Sequence, residues 1–83
     1  MVINKNATVL VYSYVNFVDS NDGKTVLADQ QTVDYHQKAT SPTPSSAPQG
    51  YVFDKWYTDK ECTTEYDFNT PVDSDTTLYA GWE

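Results

Sequence analysis

The side chains able to do chemistry are few and scattered. His36 is the only histidine among 83 residues, two positions after Asp34 and shortly before several serines. A Ser-His-Asp relay requires a nucleophile, a base and an orienting carboxylate within hydrogen-bond reach of one another. Asp34 and His36 fall on one face of a strand end, and no serine is marked as their partner, so His36 reads as a surface residue. The stretch Asp19-Ser20-Asn21-Asp22-Gly23 is superficially like a calcium loop. Its glycine comes one position early and it lacks the distant Glu, so it reads as a turn. Asp73 and Asp75 could share a weak cation, but hard cations need six to eight oxygen donors, and a charged turn is the simpler reading. Cys62 is the sole cysteine; without a CxxC spacing or a histidine partner it is neither a redox pair nor a metal site, and it reads as a free thiol. Paired carboxylates for glycoside hydrolysis need a cleft that a few short strands hardly provide. Asn6-Ala7-Thr8 matches a glycosylation sequon, a pattern short enough to arise by chance. The expectation is a non-catalytic chain with no cofactor and no metal.

Tyrosines offer a different chemistry. Tyr12, Tyr14 and Tyr79 fall on strands, on the sides facing away from the expected core. Exposed tyrosines stack on sugar rings or anchor a protein partner, because they present a large contact area at low rotamer cost. These three are the candidate binding residues, with a cross-strand packing ladder as the plainer alternative.

Charge narrows the classes further. Five Lys, no Arg and twelve acidic residues give a formal net charge of −7, and eight of the acids follow Phe53. Nucleic-acid recognition needs a basic patch and favours Arg, so it is excluded as a reading; polybasic contact with anionic lipid fails for the same reason. No apolar run approaches the roughly 18 residues of a membrane span, and no targeting signal is legible. The chain is expected to make no direct membrane contact.

The elements that must position these residues are strands. Residues 7–18 are β-branched and aromatic without Gly or Pro, which suits a long strand. Val9, Val11, Val15 and Phe17 lie on one face, and Leu10, Tyr12, Tyr14 and Val18 on the other; the tyrosines mark the wetter side. Residues 19–23 form a hairpin turn, because Asn and Asp tolerate positive φ and Gly adopts it freely. The return strand runs from about Lys24 to Tyr35, broken or bulged at Asp29-Gln30-Gln31. Prolines 42, 44 and 48 leave no helical window over 37–50, which reads as an extended crossover ending at Gly50. Val52–Tyr57 is a third strand, in which Phe53 and Trp56 reach one face only through a bulge. A polar turn over 58–65 and a short extended piece at Tyr66–Phe68 precede a last strand, Thr76–Trp82, with Leu78, Ala80 and Trp82 toward the core. Phe53, Trp56, Phe68, Leu78 and Trp82 are expected to meet in one dry interior. At this length the chain is a single domain, 1–83.

Three segments carry a resemblance: Gly-Tyr-Val-Phe-Asp-Lys-Trp-Tyr-Thr-Asp at 50–59, Tyr-Asp-Phe-Asn-Thr-Pro-Val at 66–72 and Thr-Leu-Tyr-Ala-Gly-Trp at 77–82. They resemble the Listeria-Bacteroides repeat, of the B-repeat type found in internalin-like bacterial surface proteins. Thr32-Val33-Asp34-Tyr35, Lys38-Ala39-Thr40 and Pro42 are similar to the segment that precedes them in that family. Tyr14-Val15-Asn16-Phe17-Val18-Asp19 with Gly23-Lys24-Thr25-Val26-Leu27 looks more like the opening hairpin of mucin-binding-type domains.

These resemblances imply a mostly β, small β-grasp-like (ubiquitin-like) mixed sheet of about four strands. The first and last strands would be parallel neighbours, and a Pro-rich crossover would replace the full helix. They also imply one repeat cut from a longer, wall-anchored surface protein of Gram-positive bacteria, hence an extracellular location. Its partners would be a host surface protein or glycan, or adjacent repeats. Two roles follow: a non-catalytic spacer or adhesion module, or a self-association module pairing an edge strand, the second or the third, with a neighbouring repeat.

Overall fold

The computed structural model describes residues 11–83. The beginning of the expected first strand, at 7–10, and the sequon at 6–8 lie outside the described residues. Four strands follow in order: β1 (Tyr12–Asp19), β2 (Val26–Asp34), β3 (Phe53–Tyr57) and β4 (Thr76–Trp82). They form one mixed sheet in the order β2-β1-β4-β3, with no helix among the described residues. Two antiparallel hairpin-type pairs flank a parallel β1–β4 centre. This is the small mixed β-grasp-like sheet expected from the sequence, and β2 and β3 are its edges.

Irregular register puts the apolar residues on one face. Phe53 is opposite Trp82 and Trp56 opposite Ala80, so β3 carries one residue more than β4 across this interval. That bulge is the device that lets Phe53 and Trp56 share a face despite their spacing of three. The strand β2 carries two extra residues relative to β1, one between Ala28 and Gln31 and one between Val26 and Ala28. The second turns Leu27 inward, where it is buried.

The core lies on one side of the sheet. Val15, Phe17, Leu27, Val33, Trp56, Leu78 and Ala80 are buried together with Ala39 and Val72 from the connecting segments. Of the five residues expected to meet inside, Trp56 (2% exposed) and Leu78 (0%) lie at the centre, while Phe53, Phe68 and Trp82 pack as half-buried residues at the rim. Phe17 and Phe53 meet the Trp56 ring at centroid distances of 5.0 and 5.2 Å.

The crossover takes the place of a helix as the lid of this core. With proline at 42, 44 and 48 it stays extended, and it is tied down by bonds at three points. The Trp56 indole N–H donates to the Pro42 carbonyl (2.9 Å). The Ser45 N–H donates to the Leu27 carbonyl (2.7 Å). The Gln31 carboxamide both accepts from the Thr40 N–H (3.0 Å) and donates to its carbonyl (2.9 Å), so one side chain imitates a strand rung. Gln31 sits opposite Val15 and therefore faces the covered side of the sheet. Further on, Val72 N–H donates to the Gln37 carbonyl (2.8 Å), which seats Val72 in the core.

Candidate functional site

The outer face of the sheet carries the tyrosines. Tyr12 and Tyr14 are adjacent on one side of β1, exposed at 46% and 36%, with rings meeting edge to face at 5.4 Å. The Tyr14 hydroxyl donates to that of Tyr12 (3.5 Å), and this bond is the main cause that raises the Tyr14 pKa above the ordinary phenol value. Tyr79 is on the same face but is not part of this pair. It lies beside Val18, four residues along β1 from Tyr14, or about 13 Å at the strand rise. The structure thus places all three candidate tyrosines away from the core and brings only two of them together.

Tyr79 belongs to a second cluster that the sequence reading did not single out. Tyr57 is its cross-strand partner on β3, and the Tyr57 ring passes over Gly81, so close that a Cβ at 81 would lie 2.3 Å from Tyr57 Cε1. A glycine inside a strand pattern was the available signal, since it commonly marks a close approach by another group. The Tyr57 hydroxyl donates to the Asp54 carboxylate (2.5 Å). That bond, with desolvation as a lesser cause, pushes the Tyr57 pKa up to about 12. Lys60 reaches over the hairpin turn, with its Nζ 3.4 Å from the Asn21 carbonyl and its stem against Gly23.

An open groove of about 450 Å³ lies between this loop and the end of β4, lined by Asn21, Tyr51, Lys60, Cys62 and Trp82. The Trp82 indole N–H is taken by the Asp19 carboxylate (3.0 Å), so the groove receives the ring and not its donor. Aromatic surface, the Lys60 cation, the Glu61 carboxylate and the Asn21 amide suit a polar, ring-bearing contact.

The residues weighed for catalysis are occupied separately. His36, at φ 66°, pairs through Nε2 with Asp73 (3.1 Å) and stacks on Tyr35 at 3.7 Å. Its partner is therefore not Asp34. Asp75 accepts the Tyr14 N–H (2.8 Å), while Asp73 faces His36. In the hairpin turn, Asp19 and Asp22 act as local caps. Asp22 accepts from the Thr25 hydroxyl and from the Lys24 and Thr25 N–H groups, which lowers its pKa to about 2. Asp59 does the same for the 58–65 loop, accepting from the Thr63 hydroxyl first and then from the Thr63 and Thr64 N–H groups, and its pKa is lowered. Cys62, half-buried and at φ 58°, is a free thiol on that loop. Among the described residues no three His, Cys, Asp or Glu side chains group as metal ligands.

Comparison with known families matches residues 14–81 to the Listeria-Bacteroides repeat domain. No curated protein matches the chain. The family match extends well beyond the C-terminal motifs and includes the opening hairpin. Because it takes in nearly all of the four-stranded sheet, the chain belongs to the Listeria-Bacteroides repeat family, whose typically structural domains occur in bacterial surface proteins.

Proposed function

We propose that this domain is a non-catalytic extracellular module of a cell-wall-anchored surface protein of Gram-positive bacteria, acting as a spacer or as a contact surface in adhesion to host protein or glycan. The observation that carries the reading is the family match over residues 14–81. The structure adds support: of the acidic groups weighed for chemistry, Asp22 serves as a turn cap, Asp75 as a strand tie and Asp73 as the partner of His36. On this reading the repeat is of the internalin B-repeat type, with an opening hairpin similar to that of mucin-binding-type domains. For adhesion the contact surface is the Tyr12–Tyr14 pair, with Tyr79 a separate point on the same face.

Strand addition to neighbouring repeats is the less supported alternative, because each edge is met in part by another segment of the same chain. β2 is met by Ser45 at Leu27, and Trp56 and Tyr57 of β3, with Thr58 just beyond it, by residues 64–66. The test is retention of glycans and host surface proteins by the isolated domain and by its Tyr12→Ala/Tyr14→Ala variant. Binding lost in the variant is the expected result; absence of binding by the parent domain would leave the spacer role alone.

A further inference from the structure

We infer that the domain is a mechanical link, in which tension along the chain is carried as shear across the parallel β1–β4 pair; the inference deepens the spacer reading and rests on it. The first and last strands are adjacent and parallel, paired over Val15–Asp19 with Thr76–Ala80. Chain preceding β1 therefore meets the sheet at one end, and chain following β4 leaves it at the other. From Tyr12 to Trp82 the register corresponds to about nine residue steps, or about 30 Å along the strands. Tension from flanking chain pulls β1 toward its start and β4 toward its end. Parallel neighbours pulled in opposite senses slide along their own axes, so the evenly spaced rungs between them are strained together. The β1–β2 and β3–β4 ladders lie outside this direct path.

Side chains reinforce that interface at both ends. At the leading end the Asp75 carboxylate, just before β4, accepts the Tyr14 N–H of β1 (2.8 Å). At the trailing end the Trp82 indole of β4 donates to the Asp19 carboxylate of β1 (3.0 Å). Between the two ties, Phe17 and Leu78 are paired and buried on the inner face, and buried Val18 is opposite Tyr79 on the outer face. Water has poor access to the central rungs, so it cannot readily replace a strained bond.

Single-molecule stretching tests this in a Cys62→Ser background with handles on introduced cysteines. Attachment at Val11 and Glu83 loads β1 and β4 in shear. Attachment at Val11 and Ser74, which lie at the same end of the pair, peels them one rung at a time. At equal loading rate the shear geometry is expected to need at least about twice the rupture force of the peeling geometry, because several parallel rungs share the load. It should release about 220 Å of chain in one step. Asp19→Ala, which removes the tie at the end far from the peeling load, should lower the shear force and leave the peeling force unchanged, and Asp19→Asn, which keeps an acceptor for the Trp82 indole, should restore it. Equal forces in the two geometries, or an equal loss in both with Asp19→Ala, would overturn the inference. Either result would leave the surface-module reading intact, since that reading is checked independently by labelling the parent protein on intact cells.

Discussion

Replacing Trp56 by Phe isolates what holds the crossover on the sheet. The indole is 2% exposed, packed against Phe17 and Phe53, and its N–H is the donor to the Pro42 carbonyl at 2.9 Å. A phenyl ring keeps most of the apolar contact but has no donor. The lost bond contributes about 1 kcal/mol net, and leaving the carbonyl unpaired raises the cost toward about 3. Imperfect filling of the space left by the larger ring adds a cavity penalty, for a total of about 2–4 kcal/mol. A domain of this length is expected to have only about 4–12 kcal/mol in all. The melting temperature should fall by about 10–25 °C, followed by circular dichroism, with Trp82 fluorescence as a second probe. Hydrogen exchange supplies the local test: the Thr40 and Ser45 amides, bonded to Gln31 and Leu27, should lose protection more than the β1 amides do. A melting temperature within about 3 °C of the parent, with Ser45 still protected, would refute the claim that the Trp56–Pro42 bond pins the lid.

Three further outcomes follow from the outer face and the turns. Gly81→Ala should destabilise by about 1–3 kcal/mol, because the Tyr57 ring must swing away. In a Tyr57→Ala background the same change should cost markedly less, and additive denaturation free energies would remove the assigned cause. Asp22 has its pKa depressed from 3.8 to about 2, chiefly by the Thr25 hydroxyl. Its contribution is therefore complete above about pH 4 and lost as pH falls toward 2. Thermal melts of Asp22→Asn should show a shallower acid slope over that window than the parent, and identical slopes would count against the cap. Tyr57, raised from 10.0 to about 12 by its bond to Asp54, contributes stability that is complete below pH 10 and lost as pH rises through 12. Phenolate absorbance should show one tyrosine ionising late, and Tyr57→Phe should remove that late step.

Strand identity was legible in local composition. The run from Tyr12 to Asp19, the alternation of Leu78, Ala80 and Trp82, and the turn at Asp19–Gly23 each state their conformation through steric preference and period. The three prolines excluded a helix over the crossover without reference to anything distant. Even the bulge in β3 was implied, since Phe53 and Trp56 cannot otherwise face the same way. The likeness to the repeat family was legible too, because its aromatic motifs are continuous in sequence.

The candidate site was less legible. Period alone placed Tyr12, Tyr14 and Tyr79 outside the core. The separation of Tyr79 from the other two depends on register, which is decided by pairing β1 with β4 across some sixty residues of chain. His36 found Asp73 rather than Asp34, and Gln31, polar in the middle of a strand, proved to be the tether of the crossover. Asp19 and Asp75 were legible as turn residues, yet each also spans the β1–β4 interface.

Local preference, then, is determined by the amino-acid sequence itself, because steric limits on φ and ψ and the alternation of side chains act within a few residues. Which faces meet, which carboxylate closes which open N–H, and the parallel sense of the first and last strands were decided only by tertiary pairing. Those are long-range contacts, and no property of a single short segment contains them.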